Sequence, residues 1–174
     1  LVMSLAVCYS PLQSQAATSL GTLSKTNPFV GKVVTIKKGN TYNFTFTTPA
    51  KSGLSYTVGC GRPMECKDVK TSPNYTFQIL KGTCVVEEFV VNFSKEGVIG
   101  MSRGCELDAA TTYTMRITKV TSTGTFDITS YVFVDSDGWN GKAKFEKWEA
   151  DNKIGLKLSY TSLSLLKGKS KTLT

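Results

Sequence analysis

The stretch Thr41-Tyr42-Asn43-Phe44-Thr45-Phe46-Thr47 alternates aromatic and polar side chains without a break. Because successive side chains of a strand point to opposite faces, the aromatic rings share one face and the polar groups share the other. A strict period of two, in residues that favour a pleated backbone, is typical of a half-buried β-strand. The stretch therefore predicts a strand with one face in an apolar core.

The same period recurs along most of the chain. It is seen at residues 54–60, 75–79, 113–117 and 154–160, and clusters of Gly, Pro, Asn and Asp separate the segments. The best helical candidate, Lys142 to Asn152, fits equally well as a strand paired with Phe126–Val134 across an Asp-Gly turn. We predict an all-β fold of about eight to ten short strands. An antiparallel β-sandwich, Ig-like or jelly-roll-like, is the first choice and a closed barrel is the second.

The length of 174 residues, with 40% hydrophobic and 20% charged residues, suits one globular domain. No apolar run reaches the roughly 20 residues of a transmembrane helix. Residues 1–16 are uncharged, begin with an apolar stretch and end with the small residues Ser14 and Ala16. This pattern predicts the remnant of a signal peptide, the alternative being a first buried segment of the domain. Residues 17–174 are then a single β-rich domain of a secreted, extracellular protein, with an extended lead-in over 17–29 and a short basic C-terminal tail.

Cysteine usage agrees with export. If Cys8 leaves with the signal peptide, the even set Cys60, Cys66, Cys84 and Cys105 remains, which predicts two disulfide bonds. Three pairings are possible, and the most local one, Cys60–Cys66 with Cys84–Cys105, is preferred. The spacings contain none of the close cysteine pairs that structural zinc sites use.

Three N-glycosylation sequons begin at Asn43, Asn74 and Asn92. Each asparagine precedes an aromatic residue, so in a strand the two side chains point to opposite faces and the asparagine faces solvent. The sequence thus predicts a glycoprotein if the source is a eukaryote.

The absence of histidine excludes Ser-His-Asp and Cys-His catalysis and every histidine-containing metal site. The run from Asp135 to Gly141 begins like a calcium loop, but Trp139 and Asn140 occupy positions where such a loop needs a ligand and a glycine. An Asp-Gly turn that exposes Trp139 is the favoured interpretation. No two carboxylates are brought to a defined separation. We therefore expect a protein that is not an enzyme and has no cofactor and no metal.

The charge balance points to a ligand class. The chain has 21 Lys and Arg against 13 Asp and Glu, a net charge of +8, and its lysines are dense near the C-terminus. Lysines interleaved with aromatic rings can bind polyanions or stack on sugar rings, although a plain basic surface over core aromatics is the simpler alternative. The ligand-binding residues we predict are Trp139, Lys142, Lys144, Lys147 and Trp148. The expected partner is an anionic polysaccharide, a glycan or an acidic protein surface, and no nucleic acid is expected.

Two other functions remain open from the sequence. The domain could be a structural subunit of an extracellular coat, filament or matrix that self-associates through its strand edges. Alternatively, it could be a secreted inhibitor or immune modulator that presents the Cys60–Cys66 loop, with Arg62-Pro63-Met64, to a protein partner. The sequence by itself assigns the chain to no family.

Overall fold

The computed structural model describes residues 16–61, 74–92, 100–121 and 125–153. In these ranges the chain forms nine strands and one helix. The elements are β1 (Thr18–Thr22), β2 (Phe29–Lys37), β3 (Tyr42–Thr47), β4 (Ser55–Gly61), β5 (Asn74–Lys81), β6 (Cys84–Asn92), β7 (Gly100–Glu106), β8 (Thr112–Thr118), β9 (Thr125–Val134) and α1 (Gly141–Lys153).

The strands form two sheets that pack face to face. One sheet has the order β1-β3-β8-β5-β6 and the other β2-β9-β4-β7. Every pairing is antiparallel except that of β1 with β3. Without β1, the eight remaining strands have the double-Greek-key order of a jelly roll. The predicted β-sandwich is confirmed, and the described strands form two separate sheets rather than the single closed sheet of a barrel.

The core lies between the sheets and is built by the predicted alternation. Tyr42, Phe44 and Phe46 of β3 are buried, and the polar residues between them are half exposed on the other face. From the facing sheet, Tyr56 and Val58 of β4 enter the same core. In β3 the aromatic side chains therefore enter the core and the polar side chains lie on the outer face, as the period of two predicts.

Three strands were not anticipated. Residues 18–22, expected as a lead-in, form β1 and pair with the edge of β3, and the backbone N–H of Leu23 donates to the carbonyl of Thr47 at 2.8 Å. β2 and β7 are the edges of the four-stranded sheet. The predicted strand over 154–160, most of the predicted signal remnant and the basic tail lie outside the described residues.

The segment that fitted both a helix and a strand is helical. After β9 the chain turns through Gly138 and Asn140, which have φ of 73° and 55°, and α1 then lies across the outer face of the four-stranded sheet against β2 and β9. A strand could not pair here because β9 already has β2 on one side and β4 on the other. Within the described part of the chain, no helix is both long enough and apolar enough to span a membrane.

Candidate functional site

An aromatic cluster anchors α1 to the sheet beneath it. The ring centroid of Phe145 lies 4.2 Å from that of Tyr131 and 5.4 Å from that of Phe133, and the Trp148 ring lies 5.1 Å from that of Phe29. A Cβ at Gly31 of β2 would lie 2.6 Å from the Phe29 ring, so the glycine leaves room for that ring to lie against Trp148. Trp148 is therefore half buried and holds the helix in place, with only part of its ring available to a ligand.

Trp139 is placed differently from the prediction. The sequence placed it on an exposed turn, but only 6% of the residue is accessible and it belongs to the core cluster. Its backbone N–H donates to the carbonyl of Ser136 at 3.1 Å, which closes the turn, and the side chain packs inward. A buried ring cannot act as a stacking platform for a ligand on the surface.

The three predicted lysines of α1 are all exposed, but they do not share one face. At about 100° per residue, Lys144 and Lys147 fall on the flank of the helix next to Trp148, and Lys142 falls on the opposite flank. Lys147 Nζ lies 2.7 Å from Asp151 Oδ2. Among the described residues, neither Lys142 nor Lys144 has an ion-pair partner. The structure thus brings together Lys144, Lys147 and the edge of Trp148, and separates Lys142 from them.

The described cysteines are free thiols. Cys60 lies between the sheets, and burial raises its pKa to about 12, against the opposing effect of a hydrogen bond with Tyr75. Burial and the nearby Glu87 carboxylate raise the pKa of Cys105 to about 11. The preferred Cys84–Cys105 bond is not formed in this structure, where the two residues lie on strands of different sheets. The Cys60–Cys66 bond involves Cys66, which lies outside the described residues.

Thiol reactivity should separate the three described cysteines. In a variant with Cys8→Ser and Cys66→Ser, we expect the exposed Cys84 to react rapidly with a chromogenic disulfide reagent at pH 8. Cys105 should react far more slowly, because a thiol with a pKa of about 11 is thiolate in roughly one molecule in a thousand at that pH. Cys60 should react only after unfolding. Adding Cys84→Ser should remove the rapid phase, and a folded parent with no rapid phase would contradict the assignment of Cys84 as a free thiol.

The sequon asparagines lie on strands and are half buried. Asn43 is on the outer face of the five-stranded sheet, opposite in direction to Phe44, and its Oδ1 accepts a hydrogen bond from Arg116 Nε at 3.1 Å. Asn74 and Asn92 face each other across the β5–β6 pair. The predicted outward direction is thus seen for Asn43, and glycosylation at the three sites remains a prediction.

The edge strand β6 carries an apolar surface that the sequence did not predict. Val85, Val86 and Val90 are 48%, 44% and 60% exposed, and they are the exposed large hydrophobic residues of the described chain. β6 pairs with β5 on one side and forms the end of its sheet on the other. Natural sheets usually protect such edges with charge or cover. An exposed apolar edge is therefore a candidate contact surface.

The two glutamates of β6 point to opposite faces, as adjacent residues of a strand do. Glu87 turns toward β7, where its Oε2 lies 3.3 Å from Arg103 Nη1, and the Arg103 guanidinium stands 5.7 Å from the centroid of the Phe89 ring. Glu88 faces outward and accepts a hydrogen bond from Gln78 Nε2. Glu87 thus links the edges of the two sheets, whereas Glu88 stands between Val86 and Val90 on the outer row.

A polar cavity of about 450 Å³ opens at one end of the sandwich, lined by residues 52–55 and 106–109. The Lys81 ammonium lies 2.7 Å from Asp108 Oδ2 and holds the pKa of that carboxyl below its usual value. With Glu106 also in the lining, the cavity is acidic and unsuited to an anion. No group of three potential metal-ligating side chains occurs in the described ranges.

No protein-family model matches the chain, and no curated protein matches it in sequence. Among solved structures, the chain is similar to the pre-peptidase C-terminal domain of a collagenase from Bacillus anthracis, with 10% identity, a TM-score of 0.43 and coverage of 69% of this chain and 97% of that one. It is also similar to PliG, a periplasmic inhibitor of g-type lysozyme from Aeromonas hydrophila, with 14% identity, a TM-score of 0.41 and coverage of 69% and 100%. The Yersinia pseudotuberculosis-derived mitogen gives 9% identity, a TM-score of 0.41 and coverage of 63% and 87%. These values assign no family and no function.

Proposed function

We propose that this chain is a non-enzymatic binding domain of an extracellular protein, and that its ligand is an anionic polymer held on the flank of α1. The observation that carries the proposal is the placement of Lys144 and Lys147 side by side in solvent, next to the half-exposed Trp148. Since the aromatic cluster fixes the helix to the sheet, these cations keep a set spacing. The acidic cavity at the end of the sandwich does not fit such a ligand.

The physical basis of binding is a row of point charges beside an aromatic edge. Lysine ammonium groups attract sulfate or carboxylate groups of a polymer, and a sugar ring can contact the exposed part of Trp148. Such attraction between exposed charges weakens as salt is added, because the Debye length falls to about 10 Å at 0.1 M ionic strength. Asp151 is held by Lys147 and would have to release that ammonium for the polymer.

Heparin retention tests the proposal. We expect Lys144→Glu with Lys147→Glu to lower the NaCl concentration for elution from heparin by about half, because both contacts become repulsive. The matched control is Lys38→Glu with Lys51→Glu, which changes the net charge equally at exposed sites in loops outside α1. Retention on a sulfonate resin should fall equally for both pairs. Equal losses on heparin would mean that only the net charge matters, and would contradict the site.

Lys142 provides a second control within the same helix. Lys142→Glu makes the same charge change as Lys144→Glu on the opposite flank of α1. We expect Lys144→Glu to weaken heparin retention clearly more than Lys142→Glu. Equal effects would indicate a diffuse basic surface in place of a defined site.

A further inference from the structure

The strand edges of this sandwich carry complementary patterns. The outer row of β6 contains Glu88 and Val90, with Val86 at a bulge next to it, and the core-facing row of β2, the edge of the other sheet, reads Val30, Lys32, Val34. Both strands are nine residues long. β6 has two acidic residues and no basic one, whereas β2 has two lysines and no acidic residue. Lys32 and Glu88 are both exposed.

We propose that the occupant of the β6 edge is a second copy of this chain, which pairs its β2 edge antiparallel to β6. In the register with Glu88 opposite Lys32 of the neighbouring copy, Val90 lies opposite Val30, and Val86, at the bulge of β6, lies near Val34. Directly opposed side chains on one face of an antiparallel pair interact most strongly, and opposite charges or apolar pairs stabilise it. The pairing also satisfies backbone groups on the outer side of both edges and covers the exposed valines.

Pairing of identical edges is disfavoured by the same rows. Two copies of β6 in the register that matches their valines place Glu88 against Glu88, and two copies of β2 place Lys32 against Lys32. Like charges directly opposite destabilise a strand pair. The favoured contact therefore joins the β6 edge of one copy to the β2 edge of the next. Because one β6 edge and one β2 edge stay free at the two ends, the contact repeats into an open chain of copies.

The contact would continue the five-stranded sheet of one copy into the four-stranded sheet of the next. Because the outer row of β6 meets the core-facing row of β2, neighbouring copies are offset by one sheet layer, about 10 Å. This assembly does not depend on the polyanion site, since Lys144 and Lys147 lie on α1 and take no part in the strand pair.

Sedimentation velocity of the full chain over a concentration series at low salt tests the proposal. We expect wild type to form species larger than a dimer as concentration rises, and Glu88→Lys and Lys32→Glu each to remain monomeric. An equimolar mixture of the two variants should assemble again, because every mixed contact pairs a lysine with a glutamate. The double variant with both changes should assemble without a second variant present, because each of its contacts again pairs a lysine with a glutamate.

Two control variants change the charge elsewhere on the surface. Glu146→Lys and Lys51→Glu make the same charge changes at exposed sites outside β2 and β6 and their flanking residues, and should assemble like wild type. Thermal unfolding of each variant shows whether it is folded, and Glu88→Gln and Lys32→Gln are milder substitutes if one is not. A monomeric wild type, or Lys32→Glu that assembles normally, would overturn the proposal. Assembly of the Lys144→Glu, Lys147→Glu variant should be unchanged, so the two proposals fail independently.

Discussion

Replacing Phe77 with alanine is expected to lower the free energy of unfolding by roughly 3–5 kcal/mol, the range for truncating a core aromatic side chain. Phe77 lies in the middle of β5, between β8 and β6, and none of its surface is accessible. Its ring stacks on that of Phe89 with centroids 4.9 Å apart. Since β5 is hydrogen-bonded to β8 on one side and to β6 on the other, it cannot move inward to fill the cavity, and the lost contacts are not regained.

Urea unfolding measures this effect. The midpoint should fall while the slope with denaturant stays unchanged, because the surface exposed on unfolding remains nearly the same. Phe77→Leu is the matched control and should lose clearly less, since it keeps most of the buried volume. A loss below about 1 kcal/mol for Phe77→Ala would contradict the tight packing of β5 against β6. Self-association should weaken in parallel, because Phe89 holds the edge strand in place.

Replacing Gly141 with alanine is expected to cost about 3 kcal/mol, although alanine is the better helix former by about 1 kcal/mol. A Cβ at this position would lie 2.9 Å from the backbone nitrogen of Val134 and 3.0 Å from the carbonyl oxygen of Pro28, and closer still to the carbonyl oxygen of Val134. All three are backbone atoms, and the Val134 N–H donates to the Pro28 carbonyl at 2.9 Å. The clash outweighs the helix propensity because relief requires moving α1 away from β9.

Gly104→Ala is the matched control for this substitution. A Cβ at Gly104 would meet no atom within 4 Å, and the residue lies within β7. We expect a neutral effect or a gain of roughly 0.5–1 kcal/mol, the usual cost of glycine within a strand. Chemical unfolding compares the two variants, and near-UV circular dichroism reports whether the aromatic cluster under α1 survives. A stable Gly141→Ala protein with an unchanged aromatic signal would contradict the close docking of the helix start.

Strands with a clear alternation could be predicted from sequence, and the edge strands β1, β2 and β7 could not. β3, β4, β5 and β8 each place buried side chains at every second residue, which is visible in the sequence. β7 contains two glycines and few apolar residues, and β2 carries adjacent valines, so neither shows a clean period. β1 is too short to show a period of two, and it forms by pairing with the edge of β3.

The candidate site was predicted in part. Lysine content and exposure followed from composition, and Lys144 and Lys147 do lie together in solvent. Lys142 is separated from them by the geometry of the helix. The sequence could not predict this separation because it left helix and strand open for this segment. Trp139 and Trp148 looked equivalent beside the lysines, yet one is buried in the core and the other is half buried beneath the helix. The exposed valines of β6 were not predicted because a local pattern does not show whether the outer face of an edge strand is covered.

The sequence alone determined that the fold is all-β, with a sandwich favoured over a barrel, and which side chains of the central strands enter the core. That information is local, because a period of two in β-favouring residues fixes the face of each side chain wherever the strand lies. The order of the strands, the choice of β2 and β6 as edges and the docking of α1 were decided by the tertiary structure. These features depend on contacts between residues far apart in the chain, so no short segment contains the interactions that select them.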